Sequence, residues 1–335
     1  MATDFRSDTI TRPTSAMRAA MAEAEVGDDV FGDDPSVNAL QDEVAAMLGF
    51  QDALFVASGT QGNLVCVMAH CGRGDEIVVG QEAHTYRYEA GGGAVLGSVQ
   101  PQAIANQPDG TLAISDIEQA IKPDDAHFAR TRLIALENTI GGKVLPQGYV
   151  ESVRALADRH GLSMHLDGAR LWNAAVKRDV APRAIAEHFD SVSVCLSKGL
   201  GAPVGSVLCG TRALIARAHR VRKMLGGGMR QAGILAAAGR HALAHHVTRL
   251  AEDHANAARL AEGLARHRAL TVQPPQTNMV FVQVAADVAE PFARHLDQHG
   301  IAITGTTRQR WVTHLDVARH DVDAALPIAE RFFAE

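Results

Sequence analysis

Aromatic residues make up only 4% of this 335-residue chain, with two tryptophans and three tyrosines. Beside 30 glycines and abundant alanine, that scarcity favours close-packed helices and tight turns over an aromatic-rich β-sandwich. Cysteine is sparse as well. Cys66, Cys71, Cys195 and Cys209 show neither metal-type pairing nor the spacing of a disulfide framework, so buried reduced thiols are expected. No run approaches the ~20 uninterrupted apolar residues that span a bilayer. The start, MATDFRSDTITRP, is polar and carries acids, unlike a signal peptide. A cytoplasmic protein with no membrane partner is therefore expected. A basic excess is also missing: the net charge of -6 argues against nucleic acid or anionic membrane as partner.

The hydrophobic fraction of 47% and charged fraction of 21% are ordinary for a globular protein with a sizeable core. At roughly 150 residues per domain, the length predicts about two domains. Short apolar runs at residues 54–57, 76–79, 132–136, 163–166, 191–196 and 205–209 alternate with helical patterns such as 63–69 and 149–160. That alternation predicts βαβ units around a mostly parallel sheet, an α/β fold. The character changes near residue 245. A long Ala-rich helix is predicted over 247–267, with Leu250, Ala257, Leu260, Ala261 and Leu264 on one stripe. Strands at 279–284 and 311–315 and a helix near 291–299 follow. The expected division is a large domain over 1–245, including an N-terminal segment 1–15, and a small C-terminal α/β domain over 246–335.

Open α/β sheets bind ligands beyond the carboxyl ends of their strands, and four such ends carry chemistry. The turn Ser58-Gly59-Thr60-Gln61-Gly62-Asn63 lies between a strand and a helix. Its small residues and the free N–H groups of the helix start suit a phosphate, although many strand–helix turns look alike. Asp167 ends an apolar strand, where a carboxylate needs a partner; a helix N-cap is the alternative role. Lys198 follows the next strand, 31 residues later. A buried ammonium needs a partner or a covalent role, and the alternative is a stem that snorkels to the surface. Together, Asp167 and Lys198 suit a pyridine ring lying between them, with the carboxylate on the ring nitrogen and the lysine on an aldehyde carbon. His84, just past the run at 76–79, could stack on such a ring or accept a proton. No histidine set with ligand spacing stands out, and no catalytic metal is expected.

These segments together resemble the L-threonine aldolase family of fold-type-I pyridoxal-phosphate enzymes. The resemblance runs nearly the whole chain: Arg6-Ser7-Asp8-Thr9, Val26-Gly27-Asp28-Asp29-Val30-Phe31-Gly32, SGTQGN, HLDGARLWNA, CLSKGLGAPVGS, KMLGGGMRQAG and WVTHLDV, in that order. It implies pyridoxal 5'-phosphate as cofactor, with Lys198 as the Schiff-base lysine, Asp167 on the pyridine nitrogen, and Gly59 and Thr60 on the phosphate. It implies that His84 stacks on the ring and that His127 stands near the substrate hydroxyl. Ser7, Arg170 and Arg310 are implied as holders of the substrate carboxylate, with Arg170 also near the cofactor. Lys223 and Arg230 lie in a glycine-rich segment that reaches the phosphate from a neighbouring subunit, which implies a homotetramer with shared sites. The implied reaction is cleavage of threonine, allo-threonine and related β-hydroxy-α-amino acids to glycine plus an aldehyde.

Three positions depart from the family pattern. Ile140 stands where the family often has histidine in Glu137-Asn138-Thr139-Ile140, Phe31 replaces a common tyrosine, and Tyr88 stands where relatives often carry phenylalanine. The last two bear on preference for the β-substituent. Rival readings share much of the same apparatus. A phenylserine-preferring aldolase or a β-eliminating lyase would use the same lysine and aspartate. A non-catalytic cofactor carrier would not need the carboxylate-holding residues, and a protein for another phosphate ligand would use Lys198 as a charge partner only.

Overall fold

The computed structural model describes residues 3–334. Seven strands form the central sheet, in the spatial order Asp52–Val56, Ser206–Gly210, Ser191–Cys195, Ser163–Gly168, Arg130–Glu137, Asp75–Gly80 and Gln100–Ile104. The last five of that order run parallel to one another, whereas Ser206–Gly210 is antiparallel to both of its neighbours. Six of the seven match the apolar runs of the sequence. They read as continuous rather than alternating because both faces are covered. Ile77, Val79, Leu133 and Ala135 pack on one side with Val67 and Val99, while Val78, Ile134, Leu166, Val192 and Val194 belong to the main core on the other. The seventh strand, Gln100–Ile104, escaped the sequence reading. It lies at the edge, is exposed over its first two residues and contains Pro101, so it lacks the apolar signal of a buried strand.

Local chemistry sets the helix ends. Pro35–Leu48 begins at an Asp34 cap whose side chain accepts from the Val37 amide, with Pro35 in the first turn where its missing N–H costs nothing. Gln147–His160 stops at Gly161, whose φ of 63° is a left-handed conformation that glycine adopts without strain. The predicted helix at 63–69 starts earlier, at Gly59, because Ser58 caps it through the Gln61 amide.

The C-terminal region has its own layer. A three-stranded antiparallel sheet, in the order Arg308–Val312, Met279–Gln283, Thr271–Gln273, packs against the helices Leu250–Leu264, Ala286–Gln298 and Arg319–Ala334. A separate hydrophobic cluster fills it, centred on Phe292, Trp311, Val280, Val282 and Leu260. The predicted strand at 311–315 is shifted to Arg308–Val312, because two of its first three residues are arginines that hide the strand in composition. The N-terminal strand Thr3–Asp4 pairs with Ile301–Ala302, and Phe5 lies in this second cluster. The chain start therefore packs with the chain end. Among the described residues, no helix is long and apolar enough to cross a membrane.

Phe292 is fully buried, with ring centroids 6.1 Å from Trp311 and 4.9 Å from Phe333. Phe292→Ala is expected to destabilise this cluster by about 3–5 kcal/mol, read as a lower urea midpoint. A change below about 1 kcal/mol would contradict the tight packing described.

Candidate active site

The strands Asp75–Gly80, Arg130–Glu137, Ser163–Gly168 and Ser191–Cys195 run parallel, so their carboxyl ends open on one side of the sheet. Asp167 sits near the end of Ser163–Gly168, in register with Glu137 on one neighbour and Ser193 on the other. It is 3% exposed. Its carboxylate accepts from Asn63 Nδ2 at 2.8 Å and from the Ala169 amide at 3.0 Å. The helix that follows begins only at Leu171, with Arg170 at its cap position and no side-chain cap bond, so Asp167 is not a helix cap. Lys198 lies three residues past Cys195, and its Nζ donates to Cys195 Sγ at 3.0 Å. Among the described residues it forms no salt bridge with a carboxylate. The amine is turned inward rather than snorkelling to solvent.

Lys198 meets the start of the helix Gly59–His70. A Cβ built on Gly59 would lie 3.9 Å from Lys198 Nζ and 2.7 Å from Cys195 Sγ. Only glycine fits there, and its bareness leaves the backbone open to a ligand. Ser58 Oγ takes the Gln61 amide at 3.1 Å, which leaves the Gly59 and Thr60 amides at the positive end of the helix with no intrahelical acceptor. A buried amine, a buried carboxylate and an anion-binding helix end thus share one side of the sheet. That set fits an aldehyde-bearing, phosphorylated pyridine.

His84 begins the short helix His84–Arg87. Its amide donates to Glu137 Oε2 at 2.7 Å, and its Nδ1 lies 2.8 Å from Glu89 Oε1. Asn63 Nδ2 donates to that same Glu89 oxygen at 2.8 Å as well as to Asp167. Burial pushes the Glu137 carboxyl up to about 8, reinforced by Asp167 and opposed by the His84 amide. Burial likewise raises Glu89, against the hydrogen bonds from His84 and Asn63. The hydrogen bond with Glu89 raises His84 above the usual imidazole value despite partial burial. Behind this group, His165 Nε2 lies 3.2 Å from Asn63 Oδ1, and its Nδ1 lies 3.0 Å from both Ser191 Oγ and Cys66 Sγ. Burial lowers His165 to about 4, so it stays neutral.

Arg170 forms a two-pronged ion pair with the fully buried Asp8, Nε to Oδ2 at 2.8 Å and a terminal nitrogen to Oδ1 at 2.5 Å. Asn278 Nδ2 adds a bond to Asp8 at 3.2 Å. Arg310 comes from the other sheet, on the strand Arg308–Val312. Its only described side-chain bond goes to the Arg6 carbonyl at 3.4 Å. Burial lowers Arg310, and repulsion from Arg170 adds to it while Asp8 opposes it. Two guanidiniums with one carboxylate between them suit a further anion. Ser7 lies on the same segment as Asp8, and its hydroxyl accepts from the Thr9 amide and hydroxyl at 3.2 and 2.8 Å.

Among the described residues, no hydrogen bond or ion pair joins His127, Lys223 or Arg230 to this cluster. His127 is on an exposed turn, its side chain 86% exposed, bonded to Asp125 at 2.6 Å. Arg230 pairs with Asp28 at 3.0 Å, and Lys223 passes over Gly228 near the end of the helix Arg212–Met224. Ile140 is buried in the main core, where a side chain on Gly110 would run into it. Phe31 and Tyr88 are exposed, and the Tyr88 ring lies 5.8 Å from that of His84. All four cysteines are buried and unpaired, but Cys195 touches Lys198, a contact its spacing did not signal. Glu89, Asn63, Glu137 and Asp8 also went unassigned from sequence. Asn63, Asp8 and Glu137 at least lie inside quoted segments; Glu89 gave no signal of its own.

The family described as beta-eliminating lyase matches residues 4–287. The chain is 52% identical over 319 residues to the low specificity L-threonine aldolase of Escherichia coli (strain K12), covering 95% of this chain and 96% of that protein. It is 45% identical over 343 residues to a probable low-specificity L-threonine aldolase of Arabidopsis thaliana, covering 98% and 97%. Among solved structures, the threonine aldolase of Leishmania major superposes with a TM-score of 0.85 at 22% identity, covering 99% of both chains.

The Arg170 guanidinium outweighs the cost of burying Asp8 and holds its carboxyl at about 2, below the 3.8 of the unfolded chain. A depressed carboxylate stabilises the fold above the unfolded value and loses that contribution as pH falls towards 2. Asp8→Asn, which leaves Arg170 without its charge partner, is expected to cost about 3 kcal/mol at neutral pH. The gap to the wild type should shrink by about 2 kcal/mol between pH 7 and 2, followed by urea unfolding. A gap independent of pH would contradict the pairing.

Proposed function

The chain belongs to the beta-eliminating lyase family and is a pyridoxal-phosphate-dependent lyase, and from that premise we propose that it cleaves L-threonine, L-allo-threonine and related β-hydroxy-α-amino acids to glycine and an aldehyde. The observation that carries this reading is the meeting of the Lys198 amine, the Asp167 carboxylate and the open helix start at Gly59 on one side of the sheet. The named activity of relatives that match along almost the whole chain supports it.

When bound, pyridoxal phosphate offers an aldehyde for amines and a protonated ring that draws electrons from a bond at Cα. Lys198 supplies the amine that holds it. Asp167, fixed by Asn63 and the Ala169 amide, would accept from the ring nitrogen and keep a proton on it. The Gly59 and Thr60 amides take the phosphate, helped by Lys223 and Arg230 of a neighbouring copy; this sharing and a homotetramer belong to the proposal. Arg170, Arg310 and Ser7 would hold the substrate carboxylate and so fix the orientation of the Cα–Cβ bond. The β-hydroxyl proton goes to His84 or to a water that it holds, because the exposed His127 makes no described contact with this cluster. Loss of that proton breaks the Cα–Cβ bond and frees the aldehyde, and a proton returned to Cα leaves glycine. A cytoplasmic setting and the division of the chain near residue 245 are also part of the reading, the latter supported by the two separate hydrophobic clusters.

Incubation with threonine, allo-threonine and phenylserine should yield glycine plus the matching aldehyde from each substrate used. Pyruvate plus ammonia would instead identify a β-eliminating lyase. Lys198→Ala is expected to abolish turnover together with the visible absorption of the bound cofactor. Retention of that absorption would move the covalent role to another amine.

A further inference from the structure

We propose that Glu89 is a positioning residue for His84: its carboxylate accepts the imidazole Nδ1–H, fixes the ring and its tautomer, and presents Nε2 to the reactants, while Asn63 ties the pair to Asp167. The inference deepens the aldolase reading, on which it rests for the proton that His84 moves.

The geometry is a chain of four side chains from three separate segments of the chain, at 63, 84–89 and 167. Glu89 is almost fully buried, its side chain 4% exposed, whereas that of His84 is 41% exposed. The carboxylate is therefore the anchored end and the imidazole the working end. Glu89 Oε1 lies 2.8 Å from both His84 Nδ1 and Asn63 Nδ2. The Asn63 amide has two protons and uses both, one on Glu89 and one on Asp167 Oδ2 at 2.8 Å. Two carboxylate acceptors on Nδ2 fix which way round the amide lies, which leaves its oxygen 3.2 Å from His165 Nε2. Ligand atoms of His84, Glu89 and Asp167 fall within 4.8 Å of one another. Two carboxylates this close and this dry repel unless donors separate them. The Asn63 amide bridges them, and the imidazole supplies Glu89 with its second donor. With Nδ1 committed, the nitrogen left for a proton of the substrate is Nε2. An acid that orients a histidine base by its far nitrogen is a general device of proton-transfer sites.

The charged and titratable groups around His84 come from every neighbouring element. Glu89 is on its own loop, Asp167 on Ser163–Gly168, and Glu137 at the end of Arg130–Glu137, where it takes the His84 amide at 2.7 Å. The Tyr88 ring lies 5.8 Å away. All three acids favour the imidazolium, and the Glu89 hydrogen bond does so most. Removing the Glu89 charge must therefore lower the pH at which His84 titrates, and the acid limb of kcat/KM follows that shift only if the ring it positions is the working base.

The test uses the holoenzyme with labelled histidine, its His84 signal assigned by difference with His84→Asn. In the wild type, nitrogen NMR should find the neutral ring carrying its proton on Nδ1. Glu89→Gln keeps the shape and the acceptor for Asn63. It should move the His84 titration down by on the order of one pH unit and carry the acid limb of kcat/KM with it, with KM for threonine little changed. Glu89→Asp should restore part of the shift. A wild-type ring protonated on Nε2, or a titration that Glu89→Gln leaves in place, would overturn the proposal. The wild-type tautomer decides the matter even if the variant does not fold. Failure of the aldolase reading looks different: the wild type would bind the cofactor and titrate as described, yet release no glycine.

Discussion

The structure depends on how charge is carried where a buried parallel sheet ends. Inside the sheet both faces are packed with Val, Ile and Leu, and polar side chains there must find partners within the protein. At the carboxyl ends of the strands the backbone leaves the sheet, so Glu137, Asp167 and Lys198 can project into one shared space. Asp8 enters the same region from the N-terminal segment, held by Arg170 and Asn278. Four acids, two arginines, one lysine and one histidine are thus concentrated on one side of an otherwise apolar core.

Such a concentration stands only because its charges are arranged in order. Asp8 offsets Arg170 directly, while Arg310 remains without a described acid of its own. Asn63 stands between two carboxylates that would otherwise repel, and His165, kept neutral by burial, holds that amide in place. The outcome is a graded site. It is acidic at Asp167 and Glu89, which share the Asn63 amide, and cationic at Arg170 and Arg310. The helix start at Gly59 adds a third pole, made from backbone amides rather than side chains, that suits an anion.

Two of the hydrophobic clusters serve this arrangement directly. The first fixes the strand ends that carry Asp167 and Lys198. The second carries Arg310 on Arg308–Val312 and is stitched to the chain start through Phe5 and the strand Thr3–Asp4. Ser7 and Asp8 follow within four residues of Asp4, so the pairing of chain start with chain end brings the N-terminal acid to Arg170. The polar N-terminal segment is thus tied into the interior through the Asp8–Arg170 pair.

The sequence by itself determined the sheet and its chemical ends. Six apolar runs identified six strands, because burial on both faces leaves an unbroken apolar signal. Asp167, Lys198 and the turn at Gly59 stood out because charge or bareness is unusual at those ends. What escaped it depends on separation along the chain. The edge strand Gln100–Ile104 has one exposed side and little apolar signal. Glu89 acquires meaning only when Asn63, 26 residues earlier, and His84 close around it. Cys195 acquires it only when Gly59 permits close approach, and Asp8 only when Arg170, 162 residues later, meets it. Composition and spacing report what a residue is and what its local element buries. Which distant groups share a proton or a charge is decided by tertiary packing, because electrostatic and hydrogen-bond partners are selected by distances of a few ångströms that no local pattern encodes.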